Sequence, residues 1–194
     1  MDNAEKSLSG QEGLEIIQRM INQAKQQYSD DSFMYLLWGW LVFAASIGHY
    51  LLDSAGIIYA PMVWLLMPVG GIISAIWGHR KNKSKPVKTY IDEFNKYVLT
   101  AFLVSLCIVL FSMQRLQLNC YPMVMMVYGV WLYISGGCLK FKPIMLGGIA
   151  NWILAVAAFF VDFKMQLLLL AFAVLIGYII PGYMLRNRFK NQQA

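Results

Sequence analysis

The sequence predicts an all-α polytopic membrane protein, a six-helix transmembrane bundle preceded by a short cytoplasmic N-terminal amphipathic helix. Three observations lead there. Of the 194 residues, 59% are apolar and 13% charged, with a mean hydropathy of +0.53, whereas a soluble domain carries about 25% charged residues. The apolar residues fall in blocks of about 20, the number a helix needs to cross about 30 Å of hydrocarbon. The Lys and Arg residues sort by side when the blocks are threaded alternately, fourteen to one side and two to the other. Such a composition excludes disorder, a disulfide scaffold and an ordinary water-soluble core.

Residues 1–32 form a polar tail with six carboxylates and no signal-peptide pattern. Within it Ser9-Gly10-Gln11-Glu12 reads as a capping box, a hydroxyl and a carboxylate able to satisfy the free amides of a first turn. Leu14, Ile17, Ile21, Ala24 and Tyr28 follow at spacings of three and four, one apolar stripe on a helix. The opposite face mixes Glu15, Arg19 and Lys25 with amides, whereas a helix lying on lipid shows a mainly basic polar face. The stripe is therefore expected to pack on a partner helix.

Six spans fill residues 33–185: Phe33–Leu52, Tyr59–Trp77, Tyr97–Met113, Tyr121–Leu139, Pro143–Val161 and Met165–Leu185, none containing Asp, Glu, Lys or Arg. An ionised group at the bilayer centre costs about 3 kcal/mol or more, so this exclusion supports the segmentation. Arg80, Lys81, Lys83, Lys85, Lys88 and Lys96 lie in the loop after the second span, Lys140 and Lys142 after the fourth, and Arg186, Arg188 and Lys190 in the tail 186–194. Only Arg115 and Lys164 fall on the other side. By the positive-inside rule both termini are cytoplasmic, and the plasma (inner) membrane of a prokaryote is the expected location. The outer connections are too short for a ligand-binding domain.

The basic run Arg80, Lys81, Lys83, Lys85 suits anionic lipid at about 1 kcal/mol per cation. It lacks the interleaved aromatics or folded reading element that nucleic acid would need, so no nucleic-acid partner is expected. A second stripe, Val87, Ile91, Phe94 and Val98, either pairs with the first or extends the third span into the interface.

Candidate chemistry is sparse. His49 and His79 fall on opposite faces of the bilayer, and Cys107, Cys120 and Cys138 at three depths, so neither set forms a zinc or disulfide pattern. Met113, Met123, Met125 and Met126 near Cys120 offer soft ligands for Cu(I), but core filling by methionine is the preferred account of them. Asp53 and Asp162 are helix-terminal, and no paired interior carboxylates or hydrolase signature occur. No catalytic residue, metal or cofactor is expected, and the protein is read as not an enzyme.

Small residues carry the clearest pattern. Gly70, Ser74 and Gly78 repeat every four residues, Ala44 and Gly48 offer a matching seam, and Gly147, Asn151 and Ala155 a third. Such seams let helices associate where lipid supplies no hydrophobic drive. Asn151, an amide at depth, is expected to bond across helices. Pro68 and Pro181 fall inside spans as possible kinks or gates, since proline removes a donor.

The run Ser32-Phe33-Met34-Tyr35-Leu36-Leu37-Trp38-Gly39-Trp40-Leu41-Val42, placed after the amphipathic segment, resembles the start of an uncharacterised family of small multi-pass bacterial inner-membrane proteins. The resemblance covers the first third and implies a location and no mechanism. The functional expectation is a non-enzymatic scaffold, homo-oligomer or regulatory partner of another membrane or cytoplasmic protein, acting through its cytoplasmic face. The alternative is a small channel or transporter for a neutral or apolar solute.

Overall fold

The computed structural model describes residues 10–83 and 90–193, and among them every regular element is a helix. In chain order these are α1 (Gly10–Ser54), a 3₁₀ segment (Ala60–Leu65), α2 (Leu66–Lys83), α3 (Tyr90–Phe111), α4 (Met113–Leu116), a 3₁₀ turn (Gln117–Asn119), α5 (Cys120–Cys138), α6 (Lys142–Ala158), α7 (Phe163–Val174), a π-helical turn (Leu175–Ile179) and α8 (Ile180–Gln193). Five stretches are long and apolar enough to cross a membrane: Ser32–Ser54, Ala60–Arg80, Phe94–Phe111, Met113–Cys138 and Phe163–Arg188. The sixth apolar helix, Lys142–Ala158, has 17 residues and is shorter than these.

The first departure from expectation lies at the N-terminal end. In place of a separate short amphipathic helix followed by a span, one 45-residue helix runs from Gly10 to Ser54. Ser29-Asp30-Asp31-Ser32 marks a change in polarity, but it contains neither Gly nor Pro. With no glycine or proline there, the helical backbone continues through the segment. Ser9, the expected cap, lies outside the described residues, as do Lys85 and Val87.

The core is built by α1, α5, α6 and the α7–α8 rod, with α2 laid against α1 and α3 against α5. Met125, Leu132, Ile144, Leu167, Leu170 and Val174 are fully enclosed between these central helices. The two flanking helices are the most open: Phe94–Phe111 contains no buried residue. Trp38 donates from Nε1 to Ser74 Oγ at 3.0 Å and Phe33 stacks on Trp77 at 5.7 Å, which fastens α2 to α1. Phe102 sits between Tyr128 (5.9 Å) and Trp131 (5.1 Å) and does the same for α3 on α5.

The α5–α6 hairpin shows how helices associate in lipid, through backbone approach at small residues. A Cβ at Gly136 would lie 2.7 Å from the Met145 amide nitrogen, and one at Gly148 2.8 Å from both the Gly129 carbonyl oxygen and the Tyr133 nitrogen. Trp152 fills the groove beside Gly129 and donates to the Met126 carbonyl at 3.2 Å. The connection closes with the Phe141 amide donating to Gly136 O (2.9 Å) and the Lys140 amide to Gly137 O (3.0 Å). That pair of bonds is a Schellman motif, with Lys140 at φ 50° in the left-handed position that glycine usually takes. Pro143 then opens α6 in its first turn, where a missing N–H costs nothing.

Both prolines proposed as kinks sit at helix-type boundaries. Pro68 is the third residue of α2, just after the 3₁₀ segment. Proline donates no main-chain bond at that junction, where the helix passes from 3₁₀ to α. Pro181 is buried at the second position of α8, immediately after the π-turn. A proline directly after a π-turn leaves a preceding carbonyl without its main-chain donor.

Candidate functional site

Three places in the fold bring together residues with more than packing to offer. The first is the end of the bundle at which α1 finishes and α5 and α7 begin. His49 is 2% exposed there, and Trp64 Nε1 donates to its Nδ1 at 3.0 Å. The Tyr121 hydroxyl lies 3.2 Å from the same nitrogen. An indole N–H only donates, so Nδ1 is the acceptor and a neutral His49 carries its proton on Nε2. Phe163 closes the group, 5.5 Å from His49 and 5.4 Å from Tyr121 between ring centres. Four rings from four elements fill this space, His49 edge to face with Trp64 and Phe163 and the other pairs tilted, and aromatic pairs contribute about 0.5–1.5 kcal/mol each beyond burial. Asp53, one turn beyond His49, pairs with Lys164 at 3.4 Å on the rim. With its nitrogen engaged by Trp64 and its faces covered, His49 acts as a clasp between α1, α5 and α7.

One turn deeper, Ser46 and Gln166 are 0% and 1% exposed. Gln166 Nε2 donates to the Val161 carbonyl at 3.2 Å, and the Gln166 Oε1 and Ser46 Oγ atoms have no partner. Cys120 is buried beside Tyr121, Cys107 is exposed and Cys138 half-buried; all three are free thiols. Among the described residues no three His, Cys, Asp or Glu side chains converge as a metal site would require.

The second place is the crossing of α6 with the π-turn. Asn151 is fully enclosed and donates from Nδ2 to Gly147 O on its own helix (2.9 Å) and to Ala173 O across on α7 (3.2 Å). A π-turn inserts one residue into the helical register and so leaves a carbonyl near its start without an α-helical donor. The Asn151 amide supplies a donor at that point. Gly147 and Gly177 allow the approach: a Cβ on Gly147 would lie 2.7 Å from Gly177 Cα, and one on Gly177 would lie 2.6 Å from Asn151 Nδ2. Asn151 Oδ1 is itself buried without a partner.

The seams predicted from small residues are distributed unevenly. Gly70 is buried against Leu41, and Ser74 receives the Trp38 bond, so both face α1. A methyl added at Gly78 would meet nothing within 4 Å. Ala44 is exposed and Gly48 faces Val63 at 3.2 Å, so the first-span seam meets the 3₁₀ segment rather than the Gly70 seam it was matched with. Side chains of α1, Leu41 and Trp38, occupy the α2 groove at Gly70 and Ser74. Gly147, Asn151 and Ala155 are all buried within the bundle.

The third place is the face carrying the basic ends of α2, α6 and α8. Arg80 is exposed at the end of its span, and Lys81 and Lys83 lie on the α2 backbone with side chains outside the described residues. Leu14 is 67% exposed on the projecting part of α1. The side chains of Ile17, Ile21, Ala24 and Tyr28 lie outside the described residues.

The aromatic clasp and the Gly129–Gly148 approach were missed by sequence reasoning. Tyr121 and Phe163 stand at the starts of α5 and α7 and Trp64 in the 3₁₀ segment before α2, and glycines at 129, 136, 147 and 148 flank one short turn. Those two patterns were the available signals. The fold is that of a helical membrane protein, with five helices of crossing length and composition. Compared with known proteins, the chain matches no family model, no curated protein and no solved structure.

Proposed function

We propose that this is a non-enzymatic integral membrane protein of six crossings that acts as a scaffold or regulatory partner through its cytoplasmic face, in the plasma (inner) membrane with both termini cytoplasmic. The continuity of α1 is the observation that carries this reading. At 1.5 Å per residue its 45 residues measure about 67 Å. The span Ser32–Ser54 takes 23 of them, and the 22 before it extend about 33 Å beyond. That extension bears the Leu14–Tyr28 stripe, so a helix docked on the stripe is joined rigidly to the bundle.

The sixth crossing is supported by the contact between Tyr121 and Phe163. These residues stand at the starts of α5 and α7 and touch at 5.4 Å. The chain descends along α5 for 19 residues and must return along α6 to reach that contact. At about 26 Å, α6 is short of the hydrocarbon thickness by an amount that local thinning accommodates. The orientation rests on the cation asymmetry.

Deleting residues 1–28 tests the reading. The expected outcome is loss of assembly, measured as the mass of the solubilised protein by light scattering and as cross-linked partners in native membranes. Unchanged mass and an unchanged cross-linking pattern would refute it. The π-turn with its buried unpartnered Asn151 Oδ1 favours a second reading, a carrier or channel for a neutral or apolar solute. Solute flux into proteoliposomes that survives the deletion of residues 1–28 would decide for that one.

A further inference from the structure

Where α5 turns into α6, two lysines flank a buried ring: Lys140 and Lys142 are exposed on either side of Phe141, which is 6% exposed. Arg188, near the end of α8, brings its guanidinium to 5.8 Å from the centre of that ring. Cations from two distant parts of the chain therefore meet at one rim. No Asp or Glu occurs between Glu93 and Asp162 or anywhere after Asp162. Among the described residues none of Lys140, Lys142 and Arg188 pairs with an acid. The spans Met113–Cys138 and Phe163–Arg188 both end at this level, so the cluster stands at headgroup depth. Just below it on α8, Tyr183 (43%) and Met184 (48%) are exposed and offer an apolar flank.

We propose that this rim binds the phosphate of an anionic lipid headgroup, held by Lys140, Lys142 and Arg188, with the acyl chain along Tyr183 and Met184. The chemistry is direct. A phosphodiester oxygen accepts from the lysine ammonium groups, and the planar guanidinium, fixed over Phe141, presents two parallel donors. Lys140 occupies a left-handed backbone position, φ 50°, where a glycine would be less strained. A lysine at that point contributes a cation that the turn itself does not need. The site differs from the Arg80–Lys85 run and does not depend on the scaffold reading.

The test uses the full chain and native mass spectrometry, with phosphatidylglycerol and phosphatidylcholine titrated separately. Wild type is expected to bind phosphatidylglycerol about tenfold more tightly than phosphatidylcholine, the increment that one or two interfacial cations supply. The double variant K142Q/R188Q is expected to lower that preference severalfold, leaving only what the Arg80–Lys85 run supplies, whereas R115Q, on the opposite face, keeps the wild-type value. K140G is expected to weaken phosphatidylglycerol binding while its melting temperature holds or rises, which separates lost binding from lost folding. Equal binding of the two lipids by wild type would overturn the proposal, as would a preference undiminished in K142Q/R188Q or falling equally in R115Q. Full displacement of phosphatidylglycerol by millimolar inorganic phosphate would assign the cluster to a soluble anion and overturn the lipid assignment.

Discussion

Replacing Gly148 with Ala is expected to lower stability by about 3 kcal/mol, the upper end of what overpacking costs. The added methyl would lie 2.8 Å from Gly129 O and from Tyr133 N, and 3.2 Å from Tyr133 Cα. All three atoms belong to the α5 backbone, so no side chain can rotate away and the two helices must separate along their contact. The backbone term runs the other way, since alanine is favoured over glycine inside a helix by about 0.5–1 kcal/mol. Gly71→Ala isolates that term, because nothing lies within 4 Å of the methyl there. Thermal unfolding in one detergent should therefore show opposite signs, a large fall for Gly148→Ala and a small rise for Gly71→Ala. A Gly148→Ala protein as stable as wild type would mean that the α5–α6 backbones do not approach as described.

Asn151→Leu is expected to cost about 2 kcal/mol, with leucine filling a similar volume and donating nothing. The Gly147 carbonyl can still bond within its own helix. The Ala173 carbonyl, 3.2 Å from Asn151 Nδ2 beside the π-turn, would lose its cross-helix donor in a place that water does not reach. Hydrogen exchange gives a local reading of the same loss: amides of Leu175–Ile179 should exchange faster in the variant, while those of α3, which lies against α5, stay unchanged. Equal melting temperatures and equal exchange across that turn would remove Asn151 from its cross-helix role.

The two predictions fall on residues whose legibility in the sequence differed. Asn151 stood out as a lone amide at depth, and its polarity was enough to call for a partner on another helix. Gly148 did not stand out, because small-residue spacing says that a close approach is possible and never says with what. Gly70 and Gly78 share one pattern, yet Gly70 is filled by Leu41 and Gly78 is open. The apolar blocks were readable because charge is expelled from hydrocarbon, a term of several kcal/mol per residue that leaves its mark on composition. Helix type within a block has no such mark. The 3₁₀ segment before Pro68 and the π-turn before Pro181 are decided by fractions of that energy and by tertiary packing. The polarity change at Asp30-Asp31 was read as a boundary between elements, whereas the backbone continues through it because nothing there breaks a helix.

The central claim is that α1 is one rod joining the Leu14–Tyr28 stripe to the bundle. Electron paramagnetic resonance distances test it most directly, with labels at Glu15 and Ala44, both exposed, and Cys107, Cys120 and Cys138 replaced by Ala. An unbroken helix of 29 steps at 1.5 Å each places the two backbone sites about 44 Å apart in a single narrow distribution. A broad distribution, or one centred well below that distance, would put a hinge between the stripe and the span and contradict the claim.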